Sequence, residues 1–328
     1  MEHMTGRLEK EIKERDKMQE KLKSLPPVIG DFYYYLEASD KSYTTIKNYI
    51  NYVVHFMMYC TNGKKTHNFY KNVTSSTINM YMSSLKFGTN SDGKDIKIGN
   101  SIRATRWSAL NTFFTFLKSN NLISLNPIEQ TFRPSGKKDK QVVYLTEDEI
   151  KTCINNVNAS SEGRFKNRDL CIISMGISTG LRVSAITQIN IEDIDFTNNT
   201  IRVIEKGNKY RTINFGENLR EKIITWINDK DAFYPDIETN ALFISRNKNR
   251  ISVSAVENLL KKYTQNINKN ITPHKLRATC ATNLYKKTKD IYLVSSQLGH
   301  ANIATTKIYT EVDNESTLRA AKILDDLV

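Results

Sequence analysis

"IDFTNNTIRVIEKGNKYRTINFG", Ile194 to Gly216, is the stretch that decides the fold. β-Branched residues alternate with polar ones, and "TNN" and "KGNK" interrupt the alternation with turn chemistry. That pattern predicts a small antiparallel meander. Its neighbours on both sides carry helical spacing instead. The reading is therefore a mainly α protein with one small antiparallel β-sheet in its C-terminal half.

Working outward, "VVYLTEDEI", Val142 to Ile150, opens a helix, with Thr146 and Glu149 spaced as a capping box. "NLREKIITWIND" and "SAVENLLKKYTQNI" continue as helices after the meander. Upstream, Val28 to about Gln130 reads as all-helical. "DFYYYLEAS", "SYTTIKNYINYVVHFMMYC", "TSSTINMYMSSL" and "SIRATRWSALNTFFTFLKSNN" have apolar residues at helical intervals, and Ser42, Ser75 and Asn100 are expected N-caps. "RLEKEIKERDKMQEKLKSL", Arg7 to Leu25, forms an amphipathic helix that Pro26 and Pro27 end. Between the helical halves lies "RPSGKKDKQ", Arg133 to Gln141, with Pro, Gly and four cationic side chains: linker composition.

The expected organisation follows: an N-terminal helix over 1–25, a helical domain over 26–131, a basic linker over 132–142, a second domain over 143–310 and a C-terminal helix over 311–328. A chain of 328 residues exceeds one comfortable hydrophobic core, which favours two domains. With 39% hydrophobic and 25% charged residues it is an ordinary globular composition. There is no apolar run of the roughly 20 residues a membrane crossing needs, and no apolar segment like that of a signal peptide. A cytoplasmic protein with no membrane partner is expected. The four cysteines, Cys60, Cys153, Cys171 and Cys280, are scattered, which suits a reducing compartment and argues against a zinc site or disulfide framework.

The net charge of +13 favours a polyanionic partner, most simply nucleic acid, through phosphate neutralisation and counterion release. A Lys-, Asn- and Ile-rich composition of the AT-rich-genome kind would supply part of that charge with no such partner. Arg103 and Arg106 share a helical face beside Trp107 and suit phosphate contact. Lys209 and Arg211, on and just after the turn of the meander, are further candidates for DNA contact.

Four segments carry candidate chemistry. "STGLRVSAITQI" sets Arg182 just after a Thr-Gly break. "EKGNKYR" sets Lys206 on a tight turn. "TPHKLRATCATNL" gives His274 and Arg277, about one helical turn apart and so on one face. "QLGHANIATTKIYT" gives His300 and Tyr309. Singly, each has an ordinary explanation: a capping arginine, a solvated turn lysine, a helix-end histidine, one tyrosine among 16.

Together they resemble the tyrosine recombinases, the family of phage and mobile-element integrases and Xer-type resolvases. The motifs come in the family's order, and the resemblance covers most of the chain. It implies a helical, SAM-like core-binding domain followed by the tyrosine-recombinase catalytic domain. It also implies a role for each residue. Tyr309 would attack a DNA phosphodiester and form a 3′-phosphotyrosyl link. His274 takes the position of the general base and Lys206 that of the general acid. Arg182 and Arg277 would hold the phosphate, and His300 would orient it. A phenol of ordinary pKa near ~10 needs such a base and positive field to attack at neutral pH. No metal or other cofactor is implied, because the cations supply the charge a metal supplies elsewhere.

Two positions depart from the family pattern. Ala185 stands where an acidic residue is usual, which puts the placement of Arg182 in question. Ala278 replaces a frequent histidine. The tail "NESTLRAAKILDDLV" reads as an amphipathic helix of the kind that docks on a neighbouring protomer. The resemblance thus implies a homotetramer on double-stranded DNA, joined by exchange of that helix. It would recombine sites with inverted repeats through a Holliday junction, in the cytoplasm and associated with the nucleoid. Integration or excision of a mobile element and Xer-like resolution both remain open. So do type IB topoisomerase activity and a non-catalytic DNA-binding role.

Overall fold

The structure is a computed structural model that describes residues 2–39, 41–89, 93–135, 142–160, 163–204, 210–299 and 302–309, the side chains of 2–11, 89, 304 and 307 excepted. The chain forms two units, Met1–Asp139 and Lys140–Val328.

The first unit is built from α1 (Glu2–Lys23), α2 (Pro27–Ala38), α3 (Tyr43–Cys60), α4 (Ser75–Ser84), β1 (Phe87–Thr89), β2 (Asp95–Lys97) and α5 (Asn100–Ser119). Pro27 opens α2 because its fixed φ suits the first helical turn and its missing N–H would go unbonded there anyway. The Ser42 hydroxyl accepts from Thr45 N–H and caps α3 as expected. Two expected caps shift by one residue. Thr74, not Ser75, caps α4 through a reciprocal pair with Thr77. Gly99 precedes α5, so Asn100 is its first helical residue. Asn100 is spent elsewhere: its amide donates to the Ser135 carbonyl and its oxygen accepts from Arg103.

The all-helical expectation for this region is corrected by the β1–β2 hairpin, with Phe87 opposite Lys97 and Thr89 opposite Asp95. Each strand has three residues and β2 is wholly exposed, so neither leaves the apolar alternation that reveals a strand. The N-terminal helix is not a separate element. Met18 is buried among the residues of α2 and α3, and Arg15 pairs with Glu37 across α1 and α2. The core of this unit is largely aromatic, with Phe32, Phe69, Phe114 and Phe116 grouped around Phe113.

The second unit contains α6 (Glu147–Asn158), α7 (Lys166–Thr179), α8 (Val183–Ile186), β3 (Ile194–Asp195), β4 (Thr200–Ile204), β5 (Tyr210–Asn214), α9 (Glu217–Phe233), α10 (Val253–Tyr263), α11 (Pro273–Thr288) and α12 (Ile291–Leu298). Two 3₁₀ turns follow, Ile303–Thr305 and Lys307–Tyr309. The expected capping box closes: Thr146 accepts from Glu149 N–H while the Glu149 carboxylate accepts from Thr146 N–H. The meander forms as an antiparallel sheet of order β3-β4-β5, with Ile201 opposite Ile213 and Val203 opposite Arg211. Ile201, Val203 and Ile213 face the core.

Helix α11 is buried through Pro273, Leu276, Arg277, Ala278, Thr279, Cys280, Ala281 and Thr282. Its middle is therefore covered nearly all round, as a helix in the interior of a domain must be. It approaches α7 closely at Gly176, where a Cβ would lie 2.9 Å from Leu276 Cδ1. Charge is buried here too. Arg168 donates to Asp169 at 2.7 Å and to the Ile244 carbonyl, and Tyr263 donates to the other Asp169 oxygen at 3.0 Å.

Candidate active site

The site grows from the ends of α7, α11 and α12 in the second unit. Helix α7 ends at Gly180, whose φ of 65° is left-handed and suits a residue without a side chain. A Cβ there would also lie 2.7 Å from Leu298 Cδ2 and 3.1 Å from Cys280 Sγ, so the chain is close to α12 and α11 at this turn. The buried Thr179 hydroxyl donates to Met175 and accepts from Leu181 N–H, which fixes the path of the Thr-Gly-Leu turn. With Leu181 inward, Arg182 falls at the exposed N-cap of α8.

Helix α11 begins with Pro273 in its first turn, which puts His274 on the exposed side and Arg277 inside. Arg277 is 3% exposed. Its Nη1 donates to the Gly180 carbonyl at 2.7 Å and its Nη2 to the Leu298 carbonyl at 2.6 Å. One guanidinium thereby ties the turn that leads to Arg182 to the segment that leads to His300. Charge-assisted bonds of this length are roughly twice as strong as neutral ones.

Helix α12 has the complementary need. Its last carbonyls have no partners within the helix, and its C-terminus carries the negative end of the dipole. Arg277 takes the Leu298 carbonyl, while Arg211 Nη2 on β5 donates to Ser296 at 2.8 Å and Gln297 at 2.6 Å. Gln297 in turn donates to the Thr179 carbonyl at 3.2 Å. Gly299, at φ 64°, closes the helix in the left-handed conformation, with its N–H directed to Ser295 and Ser296.

Tyr309 ends the second 3₁₀ turn, its N–H bonded to the Thr306 carbonyl at 3.0 Å. It is 2% exposed and packs with Ala278 and Ala281 of α11 and with Val294 and Leu298 of α12. Burial raises the pKa of its phenol above the ordinary tyrosine value, Arg277 pulls it down, and Cys280 pushes it up. Burial likewise pushes the Cys280 thiol up to about 11, with Arg277 opposing, so this cysteine stays protonated at neutral pH. Ala278, at the position of a frequent family histidine, is part of the surface against which Tyr309 rests. Ala185 is 7% exposed, so an acidic side chain there would also be buried.

Of the residues expected from the sequence, the structure thus brings Arg277 and Tyr309 together and sets Arg182 and His274 at the starts of α8 and α11. Lys206, Lys209 and His300 lie outside the described residues. Sequence reasoning missed the backbone carbonyls of Gly180, Ser296, Gln297 and Leu298 as anchor points. The two left-handed glycines were a usable signal, because each marks a helix C-terminus with carbonyls to satisfy.

In the first unit, Arg103 Nε and Nη2 donate to the Met82 carbonyl at 3.2 and 3.0 Å. Arg106 lies over the Tyr52 ring at 5.3 Å, and its Nε and Nη1 are buried without a hydrogen-bond partner among the described residues. A groove of about 350 Å³ is lined by Lys86, Arg103, Arg133 and the exposed Phe132, among others. Among the described residues no cluster of three His, Cys, Asp or Glu side chains could hold a metal ion, and no helix is long and apolar enough to cross a membrane.

Residues 143–316 match the model of the phage integrase family. The chain belongs to that family. It is 38% identical over 227 residues to the tyrosine recombinase XerC of Caldanaerobacter subterraneus subsp. tengcongensis, a match over 67% of this chain and 61% of that one. Against XerC of Haemophilus influenzae the identity is 33% over 213 residues, 64% of this chain and 70% of the relative. The fold is similar to that of the XerH site-specific recombinase in its post-cleavage complex with a palindromic difH substrate. The TM-score is 0.68 at 20% identity, over 91% of this chain and 95% of that one. The tyrosine-recombinase fold read from the motifs is therefore the fold of this chain.

Proposed function

We propose that this family member is a site-specific DNA recombinase of the Xer type, which cuts and rejoins strands of double-stranded DNA through a 3′-phosphotyrosyl intermediate. The observation that carries the reading is the Arg277 fork. By holding Gly180 and Leu298 it draws three of the family's motifs around the helix on which Tyr309 rests. The XerH relative, bound to its DNA substrate after cleavage, supports DNA as the substrate here.

In the proposed reaction the Tyr309 oxygen attacks phosphorus, its proton passes to His274, and the bond to the 5′-oxygen breaks as Lys206 protonates that oxygen. Arg182 and Arg277 stabilise the charge that develops on the non-bridging oxygens, with His300 donating a further hydrogen bond. The first turn of α11 adds the positive end of a helix dipole beside His274. The phosphotyrosyl ester conserves the energy of the broken bond, so a free 5′-hydroxyl reverses the step without ATP. Tyr309 must leave its apolar packing before it can attack, which couples cleavage to a rearrangement of Lys307–Tyr309.

Assembly is part of the proposal. Tyr292 and Leu293 on α12 and Ile303 and Ile308 near Tyr309 are exposed apolar residues, which suits docking of a neighbour's tail. Four protomers exchanging residues 311–328 would act on two duplexes at inverted-repeat sites and resolve a Holliday junction. Arg103, Arg106 and Lys209 are proposed as DNA contacts. A mobile-element integrase or an Xer-like resolvase working in the cytoplasm, at the nucleoid, fits this chemistry.

The test uses nicked suicide duplexes with candidate inverted-repeat sites, in EDTA, resolved on a denaturing gel. The wild type is expected to form a covalent adduct and Tyr309→Phe none, with native DNA binding equal in the two. A DNA shift without any adduct points instead to a non-catalytic binding protein. Relaxation of supercoils without recombinant joints points to a topoisomerase.

A further inference from the structure

The first described residues of the second unit, Val142 to Leu145, run against α11 in neither helix nor strand, so side chains have to satisfy their backbone. Leu145 is fully buried, its N–H donating to Thr279 Oγ1 at 2.9 Å and its carbonyl accepting from Asn283 Nδ2 at 3.2 Å. Beside it the Tyr144 ring meets two ammonium groups, with Lys269 Nζ 5.6 Å and Lys286 Nζ 5.1 Å from its centroid. Lys269 also donates to the Tyr144 carbonyl at 3.1 Å, and Lys286 to the Tyr144 hydroxyl at 2.8 Å. Thr279, Asn283 and Lys286 all belong to α11, so the segment is pinned along that helix.

Those pins place Val142. It is half-buried and packs against the small cluster of Ala278, Ala281, Val294, Leu298 and Tyr309. Ala278 and Ala281 lie three apart on one face of α11 and offer only methyl groups there. The bulk that fills the space over them has to come from α12, from Tyr309 itself and from Val142. An ordinary core valine such as Val157 sits instead in the main core of the unit, in a cluster that does not contain Tyr309.

We infer that Val142 is a positioning residue for the nucleophile: set by the pins on Tyr144 and Leu145, it walls the apolar bed on α11 and α12 in which Tyr309 rests, and so sets how readily Tyr309 comes forward to attack. This rests on the recombinase reading, in which Tyr309 must leave that bed, and deepens it. Truncating Val142 removes contacts that the resting tyrosine has and the attacking one lacks. The resting state is then disfavoured, and both exposure and attack become easier.

Two readouts test this, one of them without DNA. Nitration by tetranitromethane reports how often Tyr309, 2% exposed at rest, opens to solvent. The tryptic peptide Ile308 to Arg319 carries Tyr309 as its one tyrosine, so mass spectrometry reads it separately. Adduct formation on a nicked suicide duplex is the second readout. Val142→Ala is expected to speed both by about three- to fivefold, the scale for losing two half-buried methyl groups. Val142→Ile keeps the bulk and should stay within about twofold of wild type. Val157→Ala is the control, the same truncation at a fully buried position of the main core. It should lower the melting temperature and leave both rates near wild type.

Unchanged nitration of Tyr309 in Val142→Ala overturns the inference. So does an equal rise in Val157→Ala, which would mark a general loosening of the unit. Faster nitration with slower adduct formation overturns it as well, since Val142 would then support the working position of the tyrosine. A wild type that forms no adduct at all overturns the recombinase reading, and nitration alone then decides whether Val142 holds Tyr309.

Discussion

The two units hold themselves together by different means. The first rests on rings: Phe113 packs edge-on to Phe32 at 5.0 Å and stacked on Phe69 at 5.8 Å, with Phe114 and Phe116 alongside. The second buries charge, in Arg168, Asp169, Lys230 and Arg277, and aims almost every such group at backbone carbonyls. Lys230 donates to Thr239 and Ala241, Arg168 to Ile244, and Arg277 to Gly180 and Leu298. Apolar burial is strong but non-directional. Charge-assisted hydrogen bonds cost more to bury but fix where a segment lies. A unit that has to hold short loops in register for chemistry gains from the second kind of contact. A unit that presents helices gains from the first.

The largest expected effect tests the ring cluster. Phe113→Ala should cost the first unit about 3–5 kcal/mol, the range for removing a buried phenylalanine. Because the loss is confined to one unit, denaturation followed by calorimetry should split into two transitions, with the second near its wild-type position. A single transition shifted as a whole would show that the two units unfold together and that their cores are not independent.

Gly180→Ala probes the other kind of contact. A left-handed backbone costs a residue with a Cβ about 1–2 kcal/mol. Leu298 Cδ2 must also give way, although as the end of a flexible side chain it can move cheaply. A stability loss of about 1–3 kcal/mol is expected. The cleavage rate should fall by more than tenfold, because the displaced segment is the one whose carbonyls Arg277 holds. Adduct formation at a temperature where the variant is fully folded is the measurement. An unchanged rate would mean that the Arg277 clamp tolerates movement and does not position the site.

The same contrast explains how much could be read in advance. The capping box at Thr146, the β3-β4-β5 meander and the helices are local patterns, and local physics writes them into adjacent residues. The family was legible because the order and spacing of the motifs resemble it. The β1–β2 hairpin was not legible, since three-residue exposed strands have no period to show. Nor was the use of Arg277 and Arg211 on carbonyls. Sequence spacing marks which residues share a helical face, but an acceptor on the main chain carries no letter of its own.

The smallest effect concerns Tyr309 and is read at high pH. Its phenol is raised in the folded protein, chiefly by burial, above the ordinary value near 10. Below that value the group is neutral in both folded and unfolded chains and makes no pH-dependent difference. Above it the unfolded chain loses the proton first, so the folded state binds more protons and its stability falls as pH rises. The contribution is thus fully present at neutral pH and is lost as pH climbs through the folded value. Tyr309→Phe has no proton to lose, so its stability should fall less steeply above pH about 10 than that of the wild type. Urea midpoints of the two proteins from pH 8 to about 11 measure the difference, with Tyr33 and the other shifted tyrosines common to both. Parallel slopes would mean that Tyr309 is already solvated in solution. Cleavage would then need no withdrawal of the tyrosine from α11 and α12, and the rearrangement placed before attack would drop out of the mechanism.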